Sequence, residues 1–153
     1  MEKEYRKNVG IVVCNKDNRV LMCERKGIEN AWQFPQGGID KGEDFMEASK
    51  RELREETSIV SVSLIATIDT PLRYDYPDGV RAGTISEKYW GQEMNWVLYR
   101  FTGNEKEIDL QTDNPEFKNY AWFDIDDAPT KIVEFKKDVY VKMVEQFRPF
   151  LKS

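Results

Sequence analysis

The sequence predicts an α/β/α sandwich built on a mixed β-sheet. Short apolar and β-branched segments, typical of strands, surround one charged helical segment in mid-chain, and an amphipathic helical segment lies near the end. A chain of 153 residues with a hydrophobic fraction of 40% is long enough to bury the core of such a fold. We therefore expect one domain that spans residues 1–153.

The first half of the chain is expected to contain three strand segments, 8–14, 20–23 and 32–34. The first two are separated by the turn-forming residues 15–18, so they are predicted to pair as a hairpin. A helix is predicted from about Asp44 to about Thr57. Asp44 and Glu47 have the spacing of a capping box at its start, with Asp in place of Ser or Thr.

The second half is expected to contain three more strands, 61–67, 95–101 and 120–123, a short helix over 126–132 and a longer helix over 136–147. The longer helix is amphipathic, and its apolar side is expected to pack in the core. That side carries Val139, Tyr140, Met143, Val144 and Phe147. Residues 72–92 have little periodicity and are predicted to form a long loop, which in a compact domain is usually functional or mobile.

The composition excludes several classes of function. The chain has no histidine, so a Ser-His-Asp triad, a Cys-His pair and a His-ligated zinc site are all excluded. Any chemistry must rest on carboxylates, Lys, Tyr or a metal. The net charge of −5 disfavours extended binding to nucleic-acid backbones, which draws its affinity from many Lys and Arg contacts with phosphate. A local basic pocket remains compatible with this charge.

The cysteines and the hydropathy pattern bear on location. Cys14 and Cys23 fall inside apolar strand segments, which favours buried free thiols over a disulfide or a metal pair. No apolar run reaches membrane-spanning length, and the charged start of the chain, 1–4, does not resemble a signal peptide. We expect a cytoplasmic protein without membrane association.

The predicted mid-chain helix carries a charged cluster, Arg51, Glu52, Glu55 and Glu56. Residues three and four apart share one helix face, so the three carboxylates are directed to a common volume, where each like-charge pair costs ~0.2–0.5 kcal/mol. Bound Mg²⁺ or Mn²⁺ would offset this repulsion. Taken alone, the cluster is also compatible with an ordinary solvated face. The glycine-containing loop before it, 35–43, favours a site, because glycines permit close backbone approaches that a solvated helix does not require.

A metal held by carboxylates supports a particular reaction. Mg²⁺ prefers oxygen ligands and bridges a few carboxylates to substrate phosphates. Such an ion polarises a phosphoryl oxygen and lowers the pKa of a bound water, which makes hydrolysis of a phosphoanhydride feasible without histidine. One glutamate could then act as the general base.

The spacing of these residues resembles the Nudix box. Gly37, Glu43 and the segment Arg51-Glu52-Leu53-x-Glu55-Glu56 stand at the positions of the family pattern, which is Gly, five residues, Glu, seven residues and Arg-Glu-aliphatic-x-Glu-Glu-x-Gly-aliphatic. The one departure is Ser58 in place of the last Gly. In the family that Gly ends the helix in a left-handed conformation, in which another residue costs on the order of 1 kcal/mol.

The resemblance extends over nearly the whole chain. Segments 5–12, 32–39, 72–74, 91–92, 115–117 and 133–140 are similar to the bacterial RNA pyrophosphohydrolases and to the related dinucleoside polyphosphate hydrolases of the W-Q-F-P-Q-G-G type. The resemblance implies a Nudix-type α/β/α sandwich. It also implies an enzyme that removes pyrophosphate from the 5′-triphosphate end of messenger RNA and leaves a 5′-monophosphate, from which decay starts.

The resemblance also implies roles for the acidic residues. The metal ligands would be Glu52, Glu55 and Glu56, with Glu116 as an additional ligand or base. Arg51 would orient the glutamates by paired hydrogen bonds, and Glu43 would brace the loop rather than bind metal. Considered without the resemblance, Glu116 is equally compatible with a solvated surface loop.

Substrate contacts are implied in the same way. Arg6 and Arg25 match positions that contact phosphate or the terminal nucleotides, and Gly37 and Gly38 would allow close approach to the backbone. Val133, Phe135 and Lys136 match a pocket for a purine, with Phe135 suited to stacking and Lys136 to a carbonyl oxygen. The alternatives are a solvated N-terminal arm around Arg6, a core position for Phe135 and a solvated position for Lys136.

Two other functions remain open from the sequence. The first keeps the chemistry but changes the substrate to dinucleoside polyphosphates or nucleoside triphosphates. The second is a non-catalytic Nudix module that binds nucleotides or proteins. Such modules typically lose box carboxylates, and none is missing here.

Overall fold

The computed structural model describes residues 4–77 and 89–152. Eight strands lie within these ranges: β1 Glu4–Cys14, β2 Val20–Arg25, β3 Trp32–Gln33, β4 Gln36–Gly38, β5 Val62–Thr67, β6 Leu72–Asp75, β7 Tyr89–Phe101 and β8 Phe117–Phe123. Three α-helices accompany them: α1 Phe45–Thr57, α2 Ala128–Lys131 and α3 Lys137–Leu151. Short 3₁₀ turns span Glu105–Glu107, Ile125–Asp127 and Glu134–Lys136.

The strands form one mixed sheet, as the sequence predicts. Its central path runs β3-β2-β1-β7-β5, with β4 paired to β1, β6 to β7 and β8 to β2. Strands β1 and β7 run parallel over almost their whole lengths, and the other pairings are antiparallel. The long parallel pair therefore forms the centre of the sheet, to which the shorter strands are attached.

Each face of the sheet carries a buried core and a helix. Alternation along β1 sends Val9, Ile11 and Val13 to the core that includes Ala48 and Leu53 of α1. The intervening residues of β1 point to the other core, which includes the apolar stripe of α3. All five residues predicted for that stripe are buried. The two cores on opposite faces confirm the predicted α/β/α sandwich.

Helix α1 begins and ends much as predicted. Asp44 is the N-cap, and its carboxylate accepts a hydrogen bond of 2.8 Å from the backbone N–H of Glu47. At the other end Ser58 adopts the left-handed conformation with φ of 68°, and its N–H donates to the carbonyl of Arg54. The Ser58 hydroxyl also donates to the carbonyl of Asp109 at 2.8 Å. This bond partly offsets the cost of a non-glycine residue in that conformation.

Several predicted boundaries were wrong. Residues 72–92 were expected to be a loop, yet Leu72–Asp75 is strand β6 and β7 already begins at Tyr89. The remainder of that predicted loop, 78–88, lies outside the described residues. The predicted hairpin of β1 and β2 is present, but the two strands are paired only at Cys14 and Val20. Beyond that point β1 instead pairs with β4 on that side.

The predictions for the thiols agree with the structure. Cys14 and Cys23 are both buried and free. Cys23 faces the α1 side and Cys14 the α3 side, so the two thiols contribute to different cores. Among residues 4–77 and 89–152, no helix combines the length and apolar character required to cross a bilayer.

Candidate active site

The four predicted metal ligands border one cleft. Glu52, Glu55 and Glu56 reach it from α1, and Glu116 reaches it from the segment before β8. The cleft has a volume of about 690 Å³, and its far wall is formed by residues 112–114. We call it the acidic cleft. The side chain of Glu55 is 52% exposed, whereas Glu52 and Glu56 are largely covered.

Arg51 holds this part of the helix in place. Its guanidinium donates to both carboxylate oxygens of Glu43, at 2.8 and 2.9 Å, and to Glu52 at 2.8 Å. It also donates to Glu55 at 3.3 Å and to the carbonyl of Gly38 at 2.9 Å. One arginine therefore links the loop before α1 to two of the acidic residues. Its two hydrogen bonds to Glu43 form the bidentate pair that a guanidinium group makes with a carboxylate.

Glu43 braces the loop. Besides the bidentate pair with Arg51, its Oε1 accepts a hydrogen bond of 3.0 Å from the backbone N–H of Asp40. The hydrogen bonds from Arg51, and then that from Asp40, lower the pKa of Glu43 to about 2. Glu43 is therefore a charged structural partner of Arg51 at any physiological pH.

Glu56 is the most buried of the acidic residues. It is 6% exposed and accepts a hydrogen bond of 3.3 Å from the backbone N–H of Gln36. Burial, and then the nearby charges of Glu116 and Glu52, raise its pKa well above the usual carboxyl range. Burial also raises the pKa of Glu52. Three carboxyl groups at this position thus repel one another in a poorly solvated place.

These donors fit a hard divalent cation. Carboxylate oxygens are the ligands that Mg²⁺ prefers, and a cation would relieve the repulsion among Glu52, Glu56 and Glu116. Within 4–77 and 89–152, no three acidic or thiol side chains are already grouped as a metal site. Such a cage is not required, because Mg²⁺ is typically bound by one or two carboxylates together with waters and substrate phosphates.

Two glycines open a second cleft beside the first. In β4, Gly37 faces the α1 side and Gly38 faces the α3 side, opposite Val9 and Asn8 of β1. A Cβ on Gly37 would lie 2.1 Å from the carboxyl carbon of Glu52, and a Cβ on Gly38 would lie 2.8 Å from Nη2 of Arg6. Functional groups from both faces of the sheet therefore fill the space that side chains of β4 would occupy.

The second cleft brings acidic and basic groups together. It has a volume of about 400 Å³ and is bordered by Glu52, Glu56 and Glu116. The same cleft is lined by all three predicted cationic substrate contacts, Arg6, Arg25 and Lys136, and by Gly37 and Gly38. We call it the mixed cleft. Cations and carboxylates in one cleft suit a polyphosphate that carries a metal ion.

A third, more apolar cavity continues from the mixed cleft. It has a volume of about 640 Å³ and shares Arg25, Gln33 and Lys136 with that cleft. Val133 and Phe135 line it, so the predicted purine-binding residues lie together. We call it the apolar cavity; its remaining walls are formed by 28–32 and 130–132.

Phe135 and Lys136 have restricted surroundings. The Phe135 ring packs against Tyr74 with a centroid distance of 5.6 Å, so it is also part of the core on the α3 face. The Lys136 ammonium lies 5.6 Å from the Tyr74 ring centroid. Burial, and then the charge of Arg25, lower the pKa of Lys136 to about 8. Phe135 thus packs on the core and also lines the apolar cavity. Lys136 is half-buried rather than fully solvated, and it lines the same cavity.

The family of the chain follows from a domain-wide match. The sequence profile of the NUDIX domain matches residues 4–143. The chain belongs to the Nudix family. The charged residues of α1 are therefore those of a Nudix box, and Ser58 is a departure within a true member of the family.

Curated relatives match almost the full Nudix chain. A protein of Pelagibacter ubique named RNA pyrophosphohydrolase is 44% identical over 147 residues, covering 95% of this chain and 93% of the relative. Another of that name, from Wolbachia pipientis, is 38% identical and covers 99% of this chain and 94% of its own. The chloroplastic Nudix hydrolase 27 of Arabidopsis thaliana is 40% identical, with 95% and 67% covered.

Solved Nudix structures share the fold at much lower identity. The E. coli dihydroneopterin triphosphate pyrophosphohydrolase has a TM-score of 0.65 and 20% identity, with 92% of this chain and 97% of that chain covered. The C. elegans Ap4A hydrolase also has a TM-score of 0.65, with 18% identity and 94% and 98% covered. At these identities the likeness shows the fold alone.

The mixed cleft includes polar residues that belong to the family-like segments but were not assigned to the site from the sequence. Gln33, Gln36, Gln92 and Asn8 line the mixed cleft. The hydroxyl of Tyr74 lies 2.5 Å from Oε1 of Gln92, which fixes the orientation of that carboxamide. Each of these residues stands in or beside a strand segment, where alternation alone does not distinguish a cleft-lining side chain from a core one.

Proposed function

We propose that the chain is a divalent-metal-dependent RNA pyrophosphohydrolase. It would remove pyrophosphate from the 5′-triphosphate end of RNA and leave a 5′-monophosphate, from which messenger decay starts. The observation that carries the proposal is the continuity of the site. Carboxylates and three cationic side chains line the mixed cleft. The apolar cavity adjoins this cleft, since Arg25, Gln33 and Lys136 line both. The names of the bacterial relatives at 38–44% identity support the same activity.

The acidic residues would hold Mg²⁺ or Mn²⁺. Glu52, Glu56 and Glu116 border both clefts, and Glu55 borders the acidic cleft. When bound, the ion would supply charge to the phosphoryl oxygens and lower the pKa of a water. Arg51 would act through the carboxylates that it holds, as a positioning residue. The glutamate that accepts the proton of the attacking water would be one of the four.

The cationic residues would bind the substrate. Arg6, Arg25 and Lys136 line the mixed cleft together with the carboxylates, and there they would bind the phosphates. Val133 and Phe135 would receive a base of the first nucleotides in the apolar cavity. A net charge of −5 leaves little attraction for the rest of an RNA, so only its end would be held.

A cytoplasmic location and a single domain over residues 1–153 remain predictions from the sequence.

A second candidate is a dinucleoside polyphosphate hydrolase. The acidic cleft, at about 690 Å³, is comparable in volume to the apolar cavity, and each of the two shares lining residues with the mixed cleft. A substrate with a nucleoside at each end of its phosphate chain would use both spaces. A nucleoside triphosphate has one nucleoside, so it would use the mixed cleft together with either the acidic cleft or the apolar cavity.

A direct comparison of substrates tests the proposal. Purified protein is given a 5′-triphosphorylated RNA oligonucleotide or diadenosine tetraphosphate at matched concentrations, with and without Mg²⁺. We expect Mg²⁺-dependent release of pyrophosphate from the RNA with the higher kcat/KM. A large preference for the dinucleotide would refute the RNA assignment, and no hydrolysis of either substrate would favour the non-catalytic module.

A further inference from the structure

Asn8 carries a buried carboxamide oxygen that no protein group satisfies. The residue is 1% exposed, and within the described ranges its Oδ1 has no hydrogen-bond donor. Such an acceptor loses its contact with bulk water on folding and gains nothing in return. The oxygen of Gln92, in the same cleft, is instead paired with the Tyr74 hydroxyl. Of these two carboxamide oxygens, only that of Asn8 is therefore unpaired.

The position of Asn8 connects it with the proposed chemistry. It lines the mixed cleft, two residues after Arg6 on the same strand. It lies directly opposite Gly38, and the next residue, Val9, lies opposite Gly37, where the carboxyl group of Glu52 is found. Asn8 thus shares the mixed cleft with both the cationic side chains and the carboxylates.

The missing partner must carry a proton. The ionised oxygens of a polyphosphate only accept hydrogen bonds, so the phosphate chain itself cannot satisfy Oδ1 of Asn8. Two components of a loaded site can donate from oxygen. One is a water that Mg²⁺ keeps in its shell, and the other is a ribose hydroxyl of the substrate.

We propose that the carboxamide oxygen of Asn8 accepts a hydrogen bond from an O–H group that enters with the ligand. This inference deepens the proposed function and rests on it. Asn8 is then a direct contact of either the hydrated cation or the ribose. In the free protein its unpaired oxygen is a stability cost that the ligand removes.

The variant Asn8→Leu, of nearly the same shape, tests this idea. It removes the unpaired acceptor, so we expect the Tm of the metal-free protein to rise by about 3 °C. Asn119→Leu is the control for a paired, exposed carboxamide, because Nδ2 of Asn119 donates to Glu24 at 3.0 Å and the residue borders none of the three spaces. Its Tm should fall or stay constant, and its kcat/KM should remain that of the wild type.

Two further measurements distinguish the sources of the O–H group. Mn²⁺ is titrated into the protein without substrate and followed by its paramagnetic resonance signal. A roughly tenfold weaker Mn²⁺ affinity in Asn8→Leu would assign the donor to the cation's water. Separately, kcat/KM is compared for triphosphorylated ends with a ribose or a 2′-deoxyribose. Loss of a ribose preference in Asn8→Leu, with Mn²⁺ affinity unchanged, would assign it to the substrate.

The proposal fails if Asn8→Leu keeps both the Mn²⁺ affinity and the ribose preference of the wild type. It also fails if the variant loses activity equally on both ends with unchanged Mn²⁺ affinity, since that pattern indicates a merely structural role. The proposed function fails differently. A wild-type protein that releases no pyrophosphate refutes the activity, while a weaker Mn²⁺ affinity in Asn8→Leu would still support the contact with the hydrated cation.

Discussion

The carboxyl group of Glu52 lies in the space that a side chain on Gly37 would fill. The separation of 2.1 Å between a Cβ at position 37 and the carboxyl carbon is far below contact distance. Arg51 also donates a hydrogen bond of 2.8 Å to the same carboxylate. The absence of a side chain at position 37 is therefore a condition for the position of Glu52.

This relationship predicts that Gly37→Ala inactivates without unfolding. The methyl group meets only the end of a flexible side chain, so the fold should persist while Glu52 is displaced. We expect kcat to fall by roughly 100-fold, since misplacement by about 1 Å has that effect on positioned groups. Steady-state kinetics and a thermal melt would measure it.

Gly38→Ala is the matched control for that variant. Its methyl group would meet Arg6 at 2.8 Å, and it should mainly raise KM. An alanine at position 37 with wild-type kcat would contradict the placement of Glu52.

The box glutamates provide a second prediction. Glu56→Gln keeps the shape of a buried side chain and removes a repelled charge, so stability should not fall. The proposed metal ligand is lost, and turnover should fall by roughly two orders of magnitude or more. Glu55→Gln should also lower turnover strongly, although its side chain is 52% exposed. Wild-type hydrolysis by both variants would refute the assigned roles.

Lys136 predicts a pH dependence of binding. Its pKa of about 8 means that the free protein loses this charge as the pH rises from 7 to 9. KM for a polyphosphate substrate should rise over this range by about tenfold, the effect of losing one charged hydrogen bond. Folding lowers this pKa from 10.5 to about 8, so between these pH values the unfolded chain binds the proton more tightly than the folded one. The free energy of unfolding should therefore increase from pH 8 to 10.5, while substrate binding weakens.

Two variants isolate that effect. Lys136→Arg keeps its charge at all these pH values and should show no such rise in KM. Lys136→Met should bind weakly at every pH. If the KM of Lys136→Arg rises with pH as in the wild type, another group is responsible.

Ser58 predicts a stability difference between two small residues. Ser58→Ala loses the hydrogen bond to Asp109 but keeps the left-handed strain, and it should cost about 1 kcal/mol. Ser58→Gly loses the same bond and relieves the strain, so its free energy of unfolding should lie within about 0.5 kcal/mol of the wild type. Urea unfolding measures both. Equal stability of the two variants would show that the conformation carries no cost.

Local chemistry explains how much of the fold could be predicted. The cap at Asp44, the spacing of the box and the apolar stripe of α3 depend on neighbours in sequence, and these elements agree with the structure. Strand β6 has only four residues, and they are extended because they pair with β7. Its own sequence therefore offers no comparable signal. The limited contact of β1 with β2 also depends on a distant partner, β4.

The site divides in the same way. The box residues form a pattern within one segment, so their chemistry could be inferred from charge and spacing. Glu116, Arg6 and Lys136 come from distant parts of the chain, and only the resemblance pointed to them. Asn8 lies in the family-like segment 5–12 but was assigned no role, because its significance lies in the hydrogen bond it does not make in the folded protein.

The short strand β4 has a consequence for how such a protein can diversify. Its two glycines face opposite sides of the sheet, with the proposed metal ligand Glu52 beside Gly37 and the proposed phosphate contact Arg6 beside Gly38, and each side has its own core. If Val133 and Phe135 bind the base as proposed, substitutions around them would change the ligand without repacking α1. The proposed metal site and the proposed base site could then evolve separately on either side of a three-residue strand.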